Sequence, residues 1–170
     1  MTLKNSSRLF LSPPCMLGGE RELLLDAFDS NWIAPKGPHI ERFETEVCNV
    51  LGKKFAVSLS SGTSALHLAL AVLGVGKGDS VATASFTFTA TANAIKYVQA
   101  EPVFIDSDES SWNMNPELLW IAVKREIEAD KKPKAILTVD VIGQSAAYEE
   151  IEAICNEFEI PLIEDAAEAF

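Results

Sequence analysis

Apolar residues recur at three- and four-residue steps in the first third of the chain, then give way to short continuous runs. The first pattern predicts two amphipathic helices. One covers residues 20–31, with Leu23, Leu24, Ala27 and Phe28 on one face. The other covers residues 39–51, with Ile40, Phe43, Val47 and Val50 spaced likewise. The segment NWIAPKGP between them holds two prolines and a glycine and reads as a loop. The residues up to Gly19 read as an irregular strap, because Pro13 and Pro14 forbid a helix there.

From residue 55 the apolar runs shorten and alternate with helical stretches. FAVSL (55–59) reads as a strand, followed at once by SSGTSALHLALAVLG, a helix with almost no polar face. Such a helix is expected to be buried on most sides. Further strands are predicted at 80–84, 102–105, 135–139 and 161–163, and helices at 87–98, 116–129 and 148–159. Asn115 before Pro116 reads as a cap with proline at the first helical position. Strands alternating with helices predict an α/β fold, a mainly parallel sheet with helices on both faces. No internal repeat or low-complexity segment interrupts the pattern.

Composition narrows the function. The 170 residues carry 14 Lys+Arg against 25 Asp+Glu, a net charge of −11. That balance argues against a broad nucleic-acid-binding face, which needs basic residues to meet phosphates. An anionic small molecule remains compatible, since backbone N–H groups bind phosphate without side-chain charge. No apolar run is long enough for a membrane span, and the N-terminus lacks a signal-peptide core. Cys15, Cys48 and Cys155 are far apart and form no CxxC pattern, so a reducing cytoplasm is the expected compartment and no metal site is expected from them.

In open parallel sheets ligands bind beyond the C-terminal strand ends. That selects residues 60–63, 84–88, 106–108, 140–144 and 164–168. SSGT joins a strand to a helix N-terminus, where glycine permits close approach and free N–H groups favour an anion. Simple capping by Ser61 or Thr63 is the plainer alternative. Phe86 and Phe88 leave a strand end two residues apart, suited either to stacking on a flat ring or to core packing. Asp165 ends an apolar strand and needs a cationic partner, a ligand or a capping role. A pyridinium nitrogen is one such partner. Asp106, Asp108 and Glu109 lack the glycine and final glutamate of a calcium loop and read as solvated. His67 reads as a core residue and His39 as exposed. Neither has a partner that would make a triad.

In this order the segments FLSPP, SNWIAPKGPHIERFETEV, SLSSGTSALHLAL, GDSVATASFTFTATANAI, AEPVFIDSD, PKAILTVDVIGQSA and IPLIEDAAEAF resemble the DegT/DnrJ/StrS-type sugar aminotransferases. The resemblance implies the aspartate-aminotransferase fold type I and the cofactor pyridoxal 5′-phosphate (PLP). It also implies that the backbone of Gly62 and Thr63 holds the phosphate, with Ser61 adjacent in the cofactor site. Phe88, rather than Phe86, stacks on the pyridine, Asp165 pairs with the ring nitrogen, and Glu168 lies near the 3′-oxygen. The N-terminal portion is most similar to enzymes that aminate UDP-4-keto-6-deoxy-N-acetylhexosamines. The resemblance therefore implies a nucleotide-sugar substrate, glutamate as amino donor, a role in bacterial surface-glycan biosynthesis, and a homodimer. It further implies that residues 1–54 form a strap with helices and that 55–170 form the N-terminal part of the PLP-binding large domain.

There are departures. Asp140 stands where many members have His, and Ala147 where many have Asp. The family's Schiff-base lysine lies beyond EDAAEA, and none of the lysines present sits at a strand end. The expectation is therefore the N-terminal part of a longer protein, without the small C-terminal domain. It would be inactive alone and would expose apolar surface. Two other readings stand beside it. One is a PLP-dependent sugar dehydratase of the same family, with His for the lysine. The other is a non-catalytic interaction module.

Overall fold

A computed structural model describes residues 13–169. It divides into two compact units between Ser58 and Leu59. Residues 1–12, which include most of the expected strap, and Phe170 lie outside the described residues.

The first unit holds two helices, α1 (Glu20–Asp29) and α2 (Pro38–Leu51). The Glu20 carboxylate accepts the Leu17 and Gly18 N–H groups, both at 2.8 Å, and so closes the chain onto the start of α1. Pro38 opens α2, where its missing N–H costs nothing. His39 Nε2 lies 2.9 Å from Asp26 Oδ2 and ties the two helices together. His39, expected to be exposed, is thereby partly covered. None of the apolar positions of the two helices is buried.

The second unit contains helices α3 (Gly62–Val72), α4 (Thr89–Tyr97), α5 (Pro116–Glu128) and α6 (Tyr148–Phe158). Its strands are β1 (Ser80–Ala84), β2 (Glu101–Ile105), β3 (Ala135–Val139) and β4 (Leu162–Asp165). All pairings are parallel, in the order β2-β1-β3-β4. Val81 pairs with Ala135, and Leu137 with Ile163. Successive strand residues point to opposite faces. Val81 and Leu137 accordingly join the α3 and α4 side, with Leu70 and Ile95. Ala82 and Ile136 join the α5 and α6 side, with Leu119 and Ile151. These side chains are fully buried, and each buried Leu or Ile contributes about 1.5–3 kcal/mol. Both faces are covered, as the α/β reading expects. Buried Thr83 and Thr138 donate their hydroxyls to the Leu137 and Ile163 carbonyls, so neither hydroxyl is stranded.

Three expectations need correction. FAVSL joins no ladder among the described residues. Phe55 and Val57 are exposed, and the Ser58 N–H pairs with the Glu44 carboxylate at 2.8 Å. A β-prone run becomes a strand only when a neighbour takes up its backbone groups. Helix α3 buries Leu66 and Leu70, while Leu68 and Val72 are 42% and 77% exposed. Apolar composition records what a helix can bury, not what covers it. His67 is exposed rather than in the core, its ring edge-on to Tyr97 at 5.7 Å.

Helix α6 ends on Glu159 in the left-handed region (φ 51°), which suits glycine. Glu159 is exposed, so Glu159→Gly should raise stability by about 0.5–1 kcal/mol. A urea midpoint that rises with unchanged slope would show it.

Candidate cofactor site

The chain leaves β1 towards β2 on one side and enters β3 on the other. A crevice opens at such a reversal, beyond the strand ends. A cleft of about 500 Å³ lies there. It is walled by the start of α3, the segment after β1 and the tips of β3 and β4. Gly62, Thr63, Phe88, Asp165 and Glu168 all line it, as do Phe86 and Asp140. Ser61 stands beside it as the cap of α3.

The start of α3 is only half satisfied internally. Ser61 Oγ accepts the Ser64 N–H at 3.2 Å, and its carbonyl accepts the Ala65 N–H at 3.1 Å. The Gly62 and Thr63 N–H groups have no partner among the described residues. A Cβ at Gly62 would meet nothing within 4 Å, so glycine there leaves space rather than relieving backbone strain. Two free donors at the positive end of a helix dipole form an anion site.

Asp165 ends β4. Its Oδ2 accepts the Thr91 hydroxyl at 2.8 Å, and Oδ1 accepts the Ala167 N–H at 3.4 Å. Thr91 is fully buried and itself accepts the Thr87 hydroxyl at 2.8 Å. This relay fixes the carboxylate against the first turn of α4. The sequence reading missed Thr87 and Thr91. Their signal was a pair of threonines four residues apart just after β1, one helical turn. No Lys, Arg or His lines the cleft, and Asp165 has no cationic partner among the described residues. Beyond Asp165 the chain turns, with the Ala169 N–H on the Ala166 carbonyl, so Asp165 caps no helix among the described residues.

Phe88 is 81% exposed at the start of α4, its ring open to the cleft rather than packed in the core. Phe86 is more covered and meets Trp112 edge-on at 5.5 Å.

The β3 tip is built on buried polar groups. Asp140 is 2% exposed, and its Oδ1 accepts the Ala146 N–H at 2.8 Å and the Tyr148 hydroxyl at 2.9 Å. The next turn (Val141–Gly143) holds Ile142 and Gly143 at positive φ, 55° and 78°. A left-handed β-branched residue costs about 1–3 kcal/mol and persists only where its surroundings over-determine it. Here the Ile142 N–H donates to Glu168 Oε2 at 2.7 Å, latching the β3 tip to the β4 tip. A Cβ on Gly143 would sit 2.9 Å from the Glu168 carbonyl oxygen. Asn113, 1% exposed, closes the turn from the other side. Its Oδ1 accepts the Val141 N–H, and its Nδ2 donates to the Gln144 and Ser145 carbonyls. No local signal marks Asn113, whose partners lie about thirty residues on.

Burial chiefly pushes the Tyr148 phenol above its ordinary range, with the charges of Asp140 and Glu164 adding. A raised value means the folded state holds the proton that the unfolded state loses near pH 10. Stability is therefore whole below about pH 10 and falls as pH rises above it, a loss that Tyr148→Phe should remove. Thermal melts across alkaline pH would check this. Burial pushes the Cys155 thiol up to about 11, which leaves it un-ionised and unreactive near neutrality. Asp108 serves as a turn cap, accepting the Ser110 and Ser111 N–H groups. Among the described residues no cluster of His, Cys, Asp and Glu could hold a metal ion. No helix among them is long and apolar enough to cross a membrane.

Comparison with known proteins places the chain in a family. The sequence pattern of the DegT/DnrJ/EryC1/StrS aminotransferase family matches residues 14–170. EpsN of Bacillus subtilis (strain 168), provisionally named a pyridoxal phosphate-dependent aminotransferase, is 48% identical over 162 residues, covering 95% of this chain and 42% of EpsN. GDP-perosamine synthase of Vibrio cholerae is 40% identical over 156 residues, covering 92% of this chain and 41% of the synthase. The PLP form of Spr1654 from Streptococcus pneumoniae, provisionally named a sugar aminotransferase, has a TM-score of 0.84 at 27% identity. That likeness covers 96% of this chain and 44% of Spr1654. The chain spans about two fifths of the length of the curated relatives it matches. It belongs to the DegT/DnrJ/EryC1/StrS aminotransferase family, a family of PLP-dependent aminotransferases.

Proposed function

We propose that the protein carrying this chain moves an amino group from glutamate to the C4 ketone of a nucleotide-linked 4-keto-6-deoxy sugar, in bacterial surface-glycan biosynthesis. One observation carries the reading. The charged side chains lining the cleft are all acidic, and Asp165 awaits a cationic N–H, beside a helix start with two free donors. A ring with a protonated nitrogen and a phosphate tail fits that donor and acceptor set. The name of GDP-perosamine synthase, which specifies a nucleotide-linked product, supports the sugar.

Bound PLP supplies an electron-withdrawing ring beside the carbon that carries the amino group. The chain's residues do the rest. The Gly62 and Thr63 N–H groups would hold the phosphate, with the Ser61 and Thr63 hydroxyls adjacent. The Phe88 ring would cover one face of the pyridine. Asp165 would keep the proton on the ring nitrogen while Thr91 holds its other side. Glu168 would stand by the 3′-oxygen, one carboxylate oxygen fixed by the Ile142 N–H and the other free to bond. No lysine lines the cleft, so the family's lysine base would come from outside these residues. The same reading makes residues 55–170 part of the PLP-binding domain. It also makes the protein a homodimer, which would cover apolar positions such as Leu68 and Val72.

The test extends the chain with the remaining three fifths or so of EpsN, the part the chain does not span. With PLP, glutamate and a UDP- or GDP-linked 4-keto-6-deoxyhexose, 2-oxoglutarate and a nucleotide-linked amino sugar should form in equal amounts. A dehydrated sugar without 2-oxoglutarate would replace this reading with a dehydratase.

A further inference from the structure

A second cleft of about 460 Å³ adjoins the first and shares Phe86, Val141 and Ile142 with it. Its other walls are Ser110, Ser111, Trp112 and Gln144. Trp112 is the conspicuous feature. It is 59% exposed and sits at φ 64°, a conformation that a bulky residue adopts only when held there. The holding is plain. Its N–H donates to the Asp108 carbonyl at 2.9 Å, and the Asp108 N–H donates to the Asn113 carbonyl at 2.8 Å. The Asp108 carboxylate ties Ser110 and Ser111 into the same turn. The indole and Phe86 rings cross at 62° with centroids 5.5 Å apart, and the exposed part of the indole leaves open surface for another flat or apolar group.

The chemistry of the cleft selects a part of the substrate. No Lys, Arg or His lines it, and Asp108 anchors its rim, so a pyrophosphate would be repelled. An aromatic floor with hydroxyl and amide groups around it suits a neutral ring that has an apolar C–H face and polar substituents. The Gln144 side-chain amide has no partner among the described residues and is exposed to the cleft. A hexose whose ketone must reach the first cleft is the neutral part nearest to it.

We propose that this second cleft receives the hexose ring of the nucleotide-linked substrate, stacked on Trp112, with Ser110, Ser111 and Gln144 meeting its hydroxyl or acetamido groups. The proposal rests on the function proposed above, and its test separates the two. The 170-residue chain is mixed with UDP-N-acetylglucosamine, N-acetylglucosamine 1-phosphate or UMP, with and without pyridoxamine phosphate, and examined by saturation-transfer difference NMR. Hexose protons should receive saturation from the wild type. In Trp112→Gly the signal should fall roughly fivefold, and Trp112→Phe should restore part of it. Glycine suits the positive φ, so Trp112→Gly should melt no lower than wild type and should bind pyridoxamine phosphate unchanged. Hexose signals that survive in Trp112→Gly, a response from the UMP base alone, or no response from any ligand would each overturn the subsite. Failure of the wild type to bind pyridoxamine phosphate would instead count against the cofactor reading, and the hexose signals would still decide the subsite.

Discussion

Asn113→Ala should destabilise the sheet-containing unit by about 2–4 kcal/mol, a large share of the stability of an ordinary domain. Asn113 is buried and makes three hydrogen bonds to the β3 turn, accepting one at Oδ1 and donating two from Nδ2. Removing it strands the buried Val141 N–H, which carries most of the loss. The Gln144 and Ser145 carbonyls are near solvent and can be rehydrated, so they add less. Asn113→Asp is the sharper comparison. It keeps the size but turns a carboxylate oxygen towards two carbonyl oxygens. Its protonated form is then favoured in the fold, so its loss should be severe at neutral pH and ease on acidification. Urea midpoints of both variants, with unchanged slopes, would establish this. An Asn113→Ala chain as stable as wild type would mean that the turn is held otherwise.

Asp165→Asn should weaken pyridoxamine phosphate binding roughly 10–100-fold, the worth of a charge-assisted hydrogen bond of about 1.5–3 kcal/mol. The substitution keeps the shape, and the amide oxygen can still accept the Thr91 hydroxyl, so the fold should be unchanged. What is lost is the negative charge that would hold the proton on a ring nitrogen. Fluorescence titration of wild type and variant measures the difference directly. Equal affinity, with equal thermal stability, would remove Asp165 from the proposed role.

Much of this was legible in the residues. The alternation of apolar runs with helical stretches predicted a parallel sheet covered on both faces. The rule of strand ends then pointed to the segments that wall the cleft. The cap at Asn115 was legible too, since its side chain accepts the Leu118 N–H within one turn. Local signals of this kind need only a few neighbouring residues.

What escaped depends on partners distant in sequence. Thr91 and Asp165 are 74 residues apart, and nothing near either announces the bond. Asn113 reads as an ordinary loop residue until the β3 turn is brought against it. Ile142 at positive φ is the opposite of what a β-branched residue prefers. The Glu168 bond to the Ile142 N–H and the Asn113 bond to the Val141 N–H help to hold that conformation. FAVSL has the composition of a strand without a ladder, and α3 has the composition of a core helix with part of its surface open. In both cases the residues specify apolar surface, and composition does not say what covers it.

In the proposed site one cleft grips a phosphorylated pyridine at tail, face and nitrogen. A crystal structure of the chain with pyridoxamine phosphate tests it most directly. The phosphate should lie on the Gly62 and Thr63 N–H groups, the ring against Phe88, and the ring nitrogen within hydrogen-bonding distance of Asp165. A ligand bound with its ring nitrogen turned away from Asp165, or bound outside the cleft altogether, would contradict it.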